Sequence, residues 1–78
     1  MDEGKGNEIA EKVKRLLKAE LKRADVSYDA LAERLTNMGI KETRATIANK
    51  LSRGAFSAVF MVAVLKAIGR ESISLSDI

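Results

Sequence analysis

Along the first third of the chain, apolar residues recur at three- and four-residue spacing: Ile9, Val13, Leu16, Leu17, Leu21 and Ala24. At 100° per residue they form one stripe, which predicts an amphipathic helix of about 17 residues. Lys12, Arg15, Lys18, Lys22 and Arg23 fall outside the stripe and give the helix a basic outer face. Asn7 is the expected N-cap, with Glu8 and Glu11 in the first turn, where the helix dipole favours negative charge. Glu20 breaks the pattern by pointing among Leu16, Leu17 and Ala24. A carboxylate there needs a cationic or hydrogen-bonding partner, because burying it unpaired is costly.

Asp25-Val26-Ser27 interrupts the period, and Ser27 is placed to cap a second helix carrying Leu31, Ala32, Leu35 and Met38. Gly39 suits the left-handed position that ends a helix, and Ile40 suits the apolar contact that follows it. Thr43 caps an expected third helix from Arg44 to Arg53, closed by Gly54. Ser57 caps a fourth that ends before Gly69. In the tail, Ile73, Leu75 and Ile78 alternate, which favours a short strand over a final helical turn. The expected architecture is all-α, with an acidic, disordered lead-in over residues 1–7, one four-helix domain over 8–69 and a tail over 70–78.

The fourth helix raises a separate expectation. Ala58 to Leu65 contains no polar residue, and a helix that is apolar all round must be covered all round. Three short helices cover one side. The remainder predicts a homodimer through Val59, Met61, Val62 and Leu65, with Ile73 and Leu75 of the tail contributing.

Composition narrows the chemistry. The 78 residues include no Cys and no His, which excludes disulfides, thiolate zinc sites, cysteine nucleophiles and imidazole ligands. No phosphate-binding glycine loop and no readable carboxylate pair occurs, so neither an enzyme, a metal, a cofactor nor a small-molecule substrate is expected. No apolar run approaches a membrane span, and the start lacks the features of a signal peptide, so a cytoplasmic protein is expected. Membrane-surface binding by the first helix is disfavoured by Glu20 and by the lack of aromatic anchors. Net charge is +3, but unevenly spread. Residues 1–11 carry one base and four acids, residues 12–53 carry eleven bases and five acids, and residues 54–78 balance. A basic central block suits a polyanion.

Residues 27–54 read Ser-Tyr-Asp-Ala-Leu-Ala-Glu-Arg-Leu, then a turn with Gly39-Ile40, then Thr-Arg-Ala-Thr-Ile-Ala-Asn-Lys-Leu-Ser-Arg-Gly. This resembles the helix-turn-helix of the λ-repressor/Cro superfamily, and with the flanking helices the resemblance spans residues 9–69. The chain also resembles a small group of bacterial proteins known only as a domain of unknown function. Departures from the superfamily pattern are Thr36-Asn37-Met38 before the turn glycine, one extra residue between Ile47 and Gly54, and Ser52 where a glutamate is frequent. The resemblance implies a λ-repressor-like fold and sequence-specific binding of double-stranded DNA by a small transcriptional regulator, with helix 44–53 in the major groove.

On a wheel centred on Ile47, Leu51 completes the inward pair, and Ala45, Thr46, Asn49, Ser52 and Arg53 form the opposite face. Asn pairs bidentately with adenine and Arg with guanine, so Asn49, Arg53 and Thr46 are the expected base-contacting residues. Lys41, Arg44 and Lys50 are candidates for phosphate or groove-edge contacts, and the resemblance adds Tyr28 to them. Because the superfamily often ties its first helix to its third by an ion pair, Glu20 is expected to pair with Lys50 or Arg34. The rival expectation is a helical homodimeric protein–protein interaction module that binds no DNA.

Overall fold

The computed structural model describes the backbone of residues 3–78 and the side chains of residues 8–78. The domain is all-α: α1 (Glu3–Ala24), α2 (Tyr28–Asn37), α3 (Arg44–Arg53), α4 (Ala58–Ala67) and a terminal 3₁₀ turn (Leu75–Asp77). Among the described residues there is no strand. The tail therefore forms a helical turn where alternation predicted a strand. Its cause is local: Ser74 Oγ accepts the Ser76 amide, closing the backbone before any extended partner can pair with it.

The cap positions of three helices follow the side chains expected there. Ser27 Oγ accepts the Ala30 amide, Ser57 Oγ the Phe60 amide and Thr43 Oγ1 the Thr46 amide. Thr46 also returns the favour to the Thr43 amide, completing a capping box in which threonine stands where Glu or Gln is usual. By contrast, α1 runs back through Asn7 to Glu3, so Asn7 lies within the helix and does not cap it. Residues 1 and 2 of the expected disordered lead-in lie outside the described residues.

One ending recurs. After α1, α2 and α4 a left-handed residue (Asp25, Gly39, Gly69) is followed by one whose amide reaches the carbonyl five positions back. These bonds are Val26 to Leu21 at 3.0 Å, Ile40 to Leu35 at 2.9 Å and Arg70 to Leu65 at 2.8 Å. Asp25 takes this conformation without being glycine, which its short polar side chain tolerates. The motif turns Val26 and Ile40 onto the core and sends Arg70 back across α1.

Leu17, Leu21, Val26, Leu31, Leu35, Ile47, Leu51, Phe60, Ala63, Val64 and Leu65 form a single core. In it α3 packs on α1 and α2, while α2 also packs on α4. Leu65 is thus a core residue and not part of an external face, as its position on α4 had suggested. Glu20 is 6% exposed, and its partners are Arg70 (3.6 Å) and Arg23 (3.9 Å), not Lys50 or Arg34. The tail supplies the cation because the ending at Gly69 folds Arg70 over α1. Arg34 instead donates to the Ala67 carbonyl at 2.9 Å, joining α2 to the C-terminal end of α4.

Candidate nucleic-acid interface

The outer face of α3 carries Ala45, Asn49, Ser52 and Arg53, all exposed, with Arg44 and Thr46 beside them. Its inner face buries Ile47 and Leu51 completely. This amphipathic split fixes the roll of α3, so Asn49 and Arg53 are held outward by core packing and not by contacts of their own. Small Ala45 and Ser52 leave the helix backbone free to approach a groove closely. Both ends of the helix are anchored. The capping box defines the start, and the left-handed Gly54 (φ +66°) defines the end.

The close seat of α3 on α1 depends on that glycine. A Cβ at residue 54 would lie 2.6 Å from the Ala10 carbonyl oxygen, a backbone atom with no freedom to swing away. Lys14 Nζ also reaches the Ser52 carbonyl (3.4 Å) while pairing with Glu11 (2.8 Å). The Lys14 ammonium beside Glu11 holds that carboxyl below its ordinary range.

Two of the expected contact residues are engaged elsewhere. Thr46 Oγ1 lies 2.7 Å from Glu42 Oε1 and 3.0 Å from the Thr43 carbonyl, and it accepts the Thr43 amide. Its single hydroxyl proton is therefore committed within the cap, leaving its methyl for any outside contact. Lys50 forms an ion pair with Glu42, whose side chain is only 5% exposed, and its Nζ stands 4.8 Å from the Phe60 ring centroid. That places Lys50 in the junction between α3 and α4, with its charge neutralised, and removes it from the set of free cations.

Glu42 is the residue that sequence patterning missed. It precedes the cap, outside any helical period, and nothing in the spacing marks it as buried. Hydrogen bonds from Thr46 and Lys50 satisfy its carboxylate. Glu42 thus ties the first turn of α3, through Thr46, to its last turn, through Lys50. Lys41 and Arg44 remain exposed near the helix start, and Tyr28 sits half-buried at the first turn of α2, packed on the core.

On α4, Val59 (68%) and Val62 (51%) are exposed. With Met38, Ile40, Ala58, Ala63 and Lys66 they line an open groove of about 420 Å³. Of the residues expected at a dimer contact, Val59, Val62 and Leu75 are exposed, Met61 and Ile73 are half-buried, and Leu65 is buried. No single helix is long and apolar enough to cross a membrane. Among the described residues no cluster of carboxylates suited to a metal ion occurs.

Fold and site together define a small all-α domain that presents one short, firmly braced polar helix. The chain belongs to the family described as a domain of unknown function (DUF6471), whose model matches residues 9–73. No curated protein and no solved structure matches it.

Proposed function

We propose that this domain binds double-stranded DNA and reads sequence with α3, acting as a small transcriptional regulator of the λ-repressor/Cro type. The observation that carries the reading is the outward, unencumbered pairing of Asn49 and Arg53 on a helix braced at both ends and free of bulky side chains around them. In the major groove Asn49 would take an adenine edge and Arg53 a guanine edge, each good bidentate pair discriminating by about 1–3 kcal/mol. Lys41 and Arg44, exposed at the start of α3, would hold phosphates and set register without reading sequence. Tyr28 is a further backbone candidate on the resemblance alone. Thr46 supports the helix and contributes at most a methyl contact with thymine.

A homodimer would place two copies of α3 on half-sites one turn apart, and the groove lined by Val59 and Val62 supports such pairing. That same groove favours a second reading, a protein–protein interaction module without DNA binding. Selection of bound duplexes from a random pool separates the two. Enrichment of a defined sequence, with preference at one or two positions relaxed by Asn49→Ala, supports DNA reading; a pool that stays unenriched sinks it. A palindromic product would support the dimer at the same time.

A further inference from the structure

Lys12, Arg15, Lys18 and Lys22 are exposed on α1, and among the described residues none of them forms an ion pair. Arg15, Lys18 and Lys22 fall within about 60° of one another around the helix, with Lys12 at their edge, on the side turned away from buried Leu17 and Leu21. Acids flank the N-terminal end of the stripe: exposed Glu8 lies one turn before Lys12, Glu11 pairs with Lys14 and lies one turn before Arg15, and Asp77 lines a cleft with Lys12 and Arg15. From Arg15 onward the acid on α1 is Glu20, buried against Arg70 and Arg23. The stripe spans about 15 Å along the helix, the rise of roughly four phosphates on one DNA strand.

Like charges three and four positions apart weaken a helix, and this face holds three such steps in succession, Lys12/Arg15, Arg15/Lys18 and Lys18/Lys22. A face that only had to stay solvated is free to alternate signs. From Arg15 to Lys22 this one concentrates a single sign, and a polyanion laid along it removes the repulsion around Lys18. A membrane surface fits less well, because Leu17 and Leu21 of α1 are buried in the core, Ile9 is the one large apolar side chain that α1 exposes among the described residues, and the helix carries no aromatic residue to insert.

We propose that the α1 stripe is a second nucleic-acid surface, one that grips the phosphodiester backbone without reading bases. It is separate from the outer face of α3. The two helices meet where Gly54 sits on Ala10 and Lys14 reaches Ser52, and the stripe and the base-reading residues are carried on different helices. The stripe does not depend on α3 reading DNA.

The test compares the full chain with Lys18→Gln/Lys22→Gln for binding to a mixed-sequence duplex between about 50 and 200 mM salt. Losing two phosphate contacts should make the slope of log K against log salt shallower by about two and weaken binding roughly tenfold near 100 mM, equally for every duplex. The thermal midpoint at low salt should hold or rise, because repulsion is relieved. An unchanged slope and affinity overturns the proposal, as does absence of duplex binding by the unaltered chain. Stronger binding to vesicles containing phosphatidylserine than to duplex also overturns it, in favour of a lipid surface. Asn49→Ala run in parallel distinguishes the two surfaces, since it should change sequence preference and leave the slope alone.

Discussion

Replacing Gly54 by alanine should be far more damaging than the same change at Gly39 or Gly69, although all three glycines are left-handed. At Gly39 (φ +86°) and Gly69 (φ +78°) an added Cβ meets nothing within 4 Å, so the cost is conformational, about 1–2 kcal/mol. At Gly54 the same conformational cost applies, and the Cβ also lies 2.6 Å from the Ala10 carbonyl oxygen, some 0.8 Å inside ordinary contact at 3.4 Å. Relief requires α1 and α3 to part, loosening the Lys14–Ser52 contact and the packing of Leu17 against the α3 side of the core. Forced repacking of this kind costs about 1–3 kcal/mol, which brings the total to about 2–5 kcal/mol. A domain of this size is stable by only about 4–12 kcal/mol, so the loss is a large part of the whole. Urea unfolding followed by circular dichroism reads it, with an unchanged m value confirming that stability and not the unfolded ensemble has moved. A Gly54→Ala loss no larger than that of Gly39→Ala would refute the close-seat argument.

Three further outcomes follow from the packing and charge pairs. A double-mutant cycle between Glu20→Gln and Arg70→Gln should show a coupling of about 0.5–1 kcal/mol, whereas a cycle between Glu20→Gln and Lys50→Gln should show about 0.3 kcal/mol or less. Leu31→Ala, at a position with no exposure, should cost about 2–5 kcal/mol in the same unfolding assay, while Leu75→Ala should lie within about 0.5 kcal/mol of the parent. Glu11 should titrate below the ordinary glutamate range by carboxyl NMR, chiefly because of Lys14, and Lys14→Gln should raise it toward that range while Arg15 and Lys18 still lower it. Because the folded value is the lower one, this pair supports the fold above the ordinary glutamate pKa and loses its effect as pH falls through the lowered value.

Much of the architecture was legible because helix ends are written locally. Ser27, Thr43 and Ser57 each bond to an amide three residues on, and Gly39, Gly54 and Gly69 end helices by adopting a conformation other residues avoid, so short spacings suffice to place them. What escaped depends on contacts between distant parts of the chain. Glu20 advertised its need for a partner, but the partner became Arg70 only because the tail folds back over α1. Buried Glu42 gave no periodic signal, since it precedes α3, and its capture of Lys50 and Thr46 reassigned two residues that a helical wheel had turned outward or to the flank. Leu65 looked equivalent to Val62 in an unbroken apolar run, and only the packing of α4 on the core separates them, burying Leu65 and leaving Val62 exposed. Asn49 and Arg53 kept the positions the wheel gave them, because Ile47 and Leu51 alone fix the roll of α3.

Whether α3 reads DNA is decided by ¹⁵N amide and side-chain NMR shifts of the full chain titrated with a duplex selected from a random pool. The largest changes should fall on Ala45, Asn49 and Arg53, the Asn49 side-chain amide should shift with them, and Val59 and Val62 should respond only through dimer formation. Binding that leaves the outer face of α3 unperturbed, or no binding at about 50 mM salt, would contradict DNA reading by α3.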